Sequence, residues 1–190
     1  MRVAKLSTVL ASTLIIPSLA SAEFSYTTID AGFIDVDFNP GLIDLDGDGY
    51  RIGGSYSLNN QFFVHGAWED QSFDLGIDGH VLELGGGYHY SFTSDLDFVA
   101  TASLVQAEVS AGGLGVDDDG IQIGGGIRAR LADAFQIEAM LDWVDFDNGG
   151  SDTGVSLKGR YYFNDQLAIG LETDLDDDFD ALTLGVRVEF

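Results

Sequence analysis

The sequence predicts an all-β fold: an antiparallel up-and-down transmembrane β-barrel of ten strands, with eight as the alternative count. Three observations carry that prediction. Apolar residues recur at every second position through nearly the whole chain, and the connectors between these runs alternate short and long. The opposite parity gathers every basic residue beyond position 22, together with many glycines. Successive side chains of a strand point to opposite faces, so a period of two marks a sheet whose two faces differ.

Each strand is read from its apolar set. The first, near 26–36, alternates least cleanly and is assigned Ile29, Ala31 and Phe33. Tyr50, Ile52, Tyr56 and Leu58 mark the second, and Phe62, Val64 and Trp68 the third. Leu82, Leu84, Tyr88 and Tyr90 follow, then Leu96, Phe98, Ala100, Ala102 and Leu104. The sixth and seventh carry Ile121, Ile123, Ile127, Ala129 and Leu131, and Phe135, Ile137, Ala139, Leu141 and Trp143. Val155, Leu157, Tyr161 and Phe163 make the eighth, and Leu167, Ile169 and Leu171 the ninth. The last holds Leu182, Leu184, Val186, Val188 and Phe190. Reading 155–171 differently returns a barrel of eight.

Short connectors at 59–60, 91–95, 132–134 and 164–165 alternate with longer ones at 35–49, 70–79, 110–119, 145–152 and 174–178. That rhythm places both termini at the short-turn end. An even strand count and strands of about ten residues fit an outer-membrane barrel.

Alternation alone does not say which face is outside, because a soluble sandwich would bury the apolar parity. The polar parity holds Arg51, Glu69, Glu83, Asp97, Arg128, Arg130, Glu138, Asp142, Lys158, Arg160, Glu172, Arg187 and Glu189. It also holds Gly53, Gly85, Gly87, Gly124, Gly126, Gly170 and Gly185. Small residues between long charged ones suit a narrow closed interior, and a solvent face has no such need. The aromatics agree. Phe62, Tyr88, Tyr90, Phe98, Phe135, Tyr161, Phe163 and Phe190 fall near the short-turn end, and Phe33, Trp68, Trp143 and Phe146 near the other. Two aromatic belts around an aliphatic band match a bilayer with its two interfaces.

The chain opens with "MRVAKLSTVLASTLIIPSLASA". A basic start, a short apolar run and an A-x-A site describe a cleavable secretory signal peptide over 1–22, followed by a barrel over 23–190. There is no cysteine, so neither disulfides nor thiolate chemistry are available. The formal charge of −24 becomes −26 when Arg2 and Lys5 are removed. So large an acid excess repels phosphate backbones and excludes nucleic acid as a partner.

The chain ends on Phe190, with apolar residues at alternate positions before it. This resembles the C-terminal signature that the barrel-assembly machinery reads in bacterial outer-membrane proteins. With the signal peptide, the whole mature chain resembles the small outer-membrane β-barrel proteins of Gram-negative bacteria, the OmpA/OmpX-like class. It is most similar to the short xanthomonad-type barrels whose strands, like Gly87-Tyr88-His89-Tyr90 here, run into periplasmic turns. The resemblance implies location in the cell outer membrane and contact with its lipid and lipopolysaccharide. It carries over no catalytic residue and names no extracellular ligand.

"DLDGDG" over 44–49 looks like a calcium loop, since Asp44, Asp46 and Asp48 match positions 1, 3 and 5 of an EF-hand. Position 12 is Ser55, where a bidentate glutamate is required, and the flanks read as strand. Two readings stay open: a weak calcium site, or an acidic surface loop. The other long connectors are acidic too, with Asp70, Asp74 and Asp78; Asp117, Asp118 and Asp119; Asp145, Asp147 and Asp152; and Asp174, Asp176, Asp177 and Asp178. Divalent cations bound diffusely would bridge such a rim to lipopolysaccharide phosphates.

Enzyme readings rest on three histidines. His89-Tyr90-Ser91 resembles the His-x-Ser of outer-membrane lipid A deacylases but falls at the periplasmic turn, while those enzymes act on the outer leaflet. His80 stands at the rim near Asp78, as in barrel proteases, which are longer chains with several aligned acids. His65 points inward among charged residues. The chain is therefore read as a non-enzyme. Gly124-Gly125-Gly126 lies mid-strand with no helix after it, so it is not a phosphate loop. The expected working parts are a lumen charge network of Arg51, Glu69, Glu83, Arg128, Arg130, Glu138, Asp142, Lys158, Arg160, Glu172 and Arg187, and the acidic loops. The register of the 132–134 turn sets Arg128 opposite Glu138, and that of the 59–60 turn sets Arg51 near Glu69. The expected function is a structural or surface-interaction role, with the lumen plugged by its charges and acidic extracellular loops; a narrow cation-preferring pore is the alternative, and an outer-membrane enzyme stands behind both.

Overall fold

The computed structural model describes residues 24–38, 45–176 and 179–190. The predicted signal peptide and residues Asp44, Asp177 and Asp178 lie outside the described residues. Ten antiparallel strands close on themselves: β1 (Thr28–Phe38), β2 (Leu45–Ser57), β3 (Phe62–Phe73), β4 (Ile77–Thr93), β5 (Leu96–Ala111), β6 (Leu114–Ala132), β7 (Phe135–Phe146), β8 (Gly150–Tyr162), β9 (Leu167–Leu175) and β10 (Phe179–Glu189). Each strand pairs with its chain neighbours, and β1 closes the barrel on β10 from Thr28↔Glu189 to Phe38↔Phe179. Among the described residues the count is ten, not the alternative eight. The first and last described residues, Phe24 and Phe190, lie at one end, here the terminal end; the other is the distal end.

Two of the turns at the terminal end are set by asparagine side chains. Asn59 Oδ1 accepts from the backbone N–H of Gln61 and Phe62 at 2.9 and 3.0 Å. Asn164 Oδ1 accepts from those of Gln166 and Leu167, both at 2.9 Å. A side-chain oxygen that satisfies two turn amides reverses the chain with few residues.

The distal end corrects the sequence reading. The expected long loops are largely strand. β4, β5 and β6 run for 17, 16 and 19 residues, where about 9–11 suffice to cross a bilayer. The β5–β6 connection is Gly112-Gly113 alone, both with positive φ (60° and 87°), the backbone a tight two-residue hairpin needs and glycine adopts freely. "DLDGDG" is likewise not a loop where it is described: Asp46 and Asp48 lie on β2, opposite Asp37 and Asp35 of β1. Its Asp/Gly alternation is itself strand periodicity. The glycine parity faces in, where the Phe73 ring lies over Gly47; a Cβ there would come within 2.6 Å of that ring. Phe73 packs in turn on Ile34, Val36 and Ala181.

The inside-out parity holds in the structure. Leu84 and Leu104 on the outer face are 59% and 69% exposed, while Arg128 is 2% exposed. The outward aromatics pair along the belts, as in Phe62–Tyr88 and Phe33–Tyr50, with ring centroids 5.2 and 5.9 Å apart. Phe146 is the exception. It lines the central cavity, because it shares the inward parity of Glu138 and Asp142 on β7.

Candidate functional site: the charged lumen

The lumen is built from glycine and long polar side chains on the same parity. Gly124 illustrates the fit: a Cβ there would come within 2.2 Å of Asp142 Oδ1. Of the predicted network, Arg51, Glu69, Glu83, Arg128, Glu138, Asp142, Lys158, Arg160, Glu172 and Arg187 all border one central cavity of about 460 Å³. Arg130 lies lower, at the terminal end, with its guanidinium 5.0 Å from the Phe24 ring and 3.5 Å from Asp95 Oδ1.

Two groups of ion pairs occupy the middle of the bore. On β2–β4, Arg51 pairs with Glu69, as its register predicts, and its second nitrogen stands 4.0 Å from Glu83. Glu83 also accepts from Ser103 Oγ at 2.8 Å and lies 3.6 Å from His65 Nδ1. On β7–β9, Glu138 takes Arg160 at 3.2 Å and Lys158 at 3.9 Å, and Lys158 bonds Glu172 at 2.7 Å. Arg187 makes a two-pronged contact with Asp30 at 2.6 and 3.0 Å. Such forked pairs are the strong, geometrically specific kind.

Arg128 departs from the expected pairing. It is the Cα partner of Glu138, but its side chain turns toward the terminal end. There it donates to Gln136 Oε1 at 3.0 Å, Glu189 Oε1 at 2.9 Å and the carbonyl of Ser25 at 2.9 Å. Tyr162 donates to the same Glu189 oxygen. The guanidinium also sits 4.8 Å from the Phe24 ring centroid and 5.4 Å from that of Tyr26.

Tyr26 completes this layer. Its hydroxyl donates to Asp97 Oδ2 at 2.9 Å, and its ring stacks on His89 at 3.9 Å and on Phe63 at 4.8 Å. Phe24, Tyr26, Phe63, Val99 and Met140 form an apolar cluster inside the barrel. Phe24, Tyr26, Asp30, Gln136 and Tyr162 were not singled out from the sequence. The signal was present, since Phe24, Tyr26, Thr28 and Asp30 share one parity, opposite to Ile29, Ala31 and Phe33.

The histidines take fixed places. His65 faces the lumen, as expected. His89 is inward, 3.3 Å from Asp97, near the terminal end. His80 is outward, stacked on Trp68 and 3.7 Å from Asp70 rather than beside Asp78. Asp46 and Asp48, two apart on one strand face, are separated by about 7 Å of backbone rise. Among the described residues no group of three or more His, Asp or Glu is gathered to hold a metal ion. Phe190 is the last outward residue of the terminal belt; its N–H donates to the Thr27 carbonyl at 3.0 Å.

No family model matches the chain, and no curated protein sequence matches it. Solved structures do. The β domain of the Bordetella autotransporter BrkA is 14% identical, with a TM-score of 0.55 over 86% of this chain and 99% of that one. Neisserial surface protein A is 16% identical (TM-score 0.47; 87% and 98% covered), and the KdgM porin 15% (0.47; 86% and 99%). The first of these likenesses supports the closed-barrel fold.

Proposed function

We propose that the chain is an outer-membrane barrel of structural or surface-interaction role, its lumen narrowed by paired charges around a central cavity and its distal acidic strands exposed as the working face. The observation that carries this reading is the outer surface. Large apolar side chains such as Leu84 and Leu104 are exposed around the whole circumference, and aromatic belts border them. Water-soluble monomers rarely expose so large an apolar surface, whereas a bilayer requires it. Every Lys and Arg side chain among the described residues is directed inward and used there. The outward distal positions are left to acids such as Asp35, Asp37, Asp46, Asp48 and Asp180. A surface of that sign approaches lipopolysaccharide phosphates through divalent cations bound weakly and collectively. Export uses the cleavable signal peptide, and Phe190 is the end the assembly machinery reads.

An epitope inserted between Gly112 and Gly113 tests the placement. Antibody binding to intact Gram-negative cells is expected. Detection only after the membrane is breached, or recovery of the chain as soluble periplasmic protein, contradicts it.

The second reading, a narrow cation-preferring pore, is favoured by the cavity itself. Nine carboxylates border it against five Lys and Arg, so a conducting path would select cations.

A further inference from the structure

The cavity has a floor made from outside the strands. Residues 24–27 are not part of β1, which begins at Thr28. They nonetheless enter the bore, where Phe24 and Tyr26 are buried to 6% and 7% exposure. Tyr26 reaches three strands at once, through Phe63 on β3, His89 on β4 and Asp97 on β5. Arg128 on β6 closes from the other side, bonding the Ser25 carbonyl and facing both rings. Ser25, Tyr26, Phe63 and Arg128 border the cavity above.

The manner of attachment matters. Every strand is held on both sides by a ladder of backbone hydrogen bonds, and moving one would open the barrel. Residues 24–26 are held by ring stacking, the Tyr26–Asp97 bond, the Arg128–Ser25 bond and a Ser25 Oγ contact of 3.2 Å to the Phe190 carbonyl. They can leave without disturbing the β1–β10 ladder, which starts at the pair Thr28↔Glu189. Once the signal peptide is cleaved, the segment joins the barrel at one point, so its release breaks these side-chain contacts and opens no strand ladder.

We propose that residues 24–26 are a releasable stopper. Seated, they make the lumen a vestibule entered from the distal end only. Unseated, they open a through-pore for small hydrated cations, whose selectivity comes from the carboxylate excess of the wall. The proposal rests on the membrane reading above and adds to it a gate, its position and the class of solute.

The test uses the mature chain in planar bilayers. Phe24→Ala with Tyr26→Ala, shown to be folded by its heat-shifted band, is expected to conduct persistently. The conductance should be at least about tenfold above that of the unaltered chain, with potassium preferred over chloride in a salt gradient. A folded, inserted double variant that conducts no more than the unaltered chain overturns the stopper. Failure of the unaltered chain to insert at all overturns the membrane reading instead. A second variant covers the case in which the first misfolds. The chain has no cysteine, so Ser156→Cys places one thiol in the cavity wall. In oriented vesicles an impermeant thiol reagent should label it from the distal side only. Equal labelling from both sides overturns the proposal.

Discussion

Arg128 and Glu138 face each other across the β6–β7 ladder, yet their side chains part. Arg128 reaches Glu189 at 2.9 Å, and Glu138 turns to Arg160 at 3.2 Å. Backbone register sets where long side chains start, and the open bore lets them choose partners at other levels. Coupling should therefore follow side-chain geometry. In a double-mutant cycle read by urea unfolding, Glu138→Gln should destabilise more than Glu138→Gln with Arg160→Met. Removing one partner of a buried pair leaves the other stranded, at about 3–5 kcal/mol. The pair Glu138→Gln with Arg128→Met should be closer to additive. Stronger coupling to Arg128 than to Arg160 would contradict the arrangement.

Arg128→Met should be among the most damaging single changes. It deprives Glu189 of its cation and Gln136 and Ser25 of their donor. A loss of about 3–5 kcal/mol is expected, and adding Glu189→Gln should recover part of it. Denaturant midpoints of the folded barrel in detergent measure both.

Deleting Phe190 should prevent insertion. The chain should collect as periplasmic aggregate or be degraded, while a Phe190→Tyr variant, which keeps an aromatic end, should insert. Undiminished heat-modifiable barrel after the deletion would remove Phe190 from the assembly role.

The distal acids should bind calcium weakly and as a group. Asp37 faces Asp46 on one side and Asp180 on the other. Asp46→Asn with Asp48→Asn should lower calcium uptake in part, in equilibrium dialysis against millimolar calcium. Complete loss of a tight, stoichiometric site would show a caged ion.

The barrel was legible because alternation survives every strand and the Asn turns are local signals. The distal extensions were not. Their stretches are dominated by Asp and Gly, with apolar residues as sparse as Val109, Leu114 and Val116, so composition spoke for loop. The lumen's membership was legible from parity, but the pairing of Arg128 was not, since a guanidinium on a long stem reaches beyond its ladder partner. Phe24 and Tyr26 escaped because they precede the first strand and pack without belonging to it.

The central claim is that the apolar parity meets lipid. The chain has two tryptophans, Trp68 and Trp143, both on the outer face at the distal belt. Quenching of their fluorescence by brominated lipids in reconstituted vesicles tests that claim most directly. Quenching by bromines near the headgroups, weakening toward the bilayer centre, is the predicted result. Free quenching by a water-soluble agent, with no effect of brominated lipid at any depth, would contradict it and return the apolar parity to the inside.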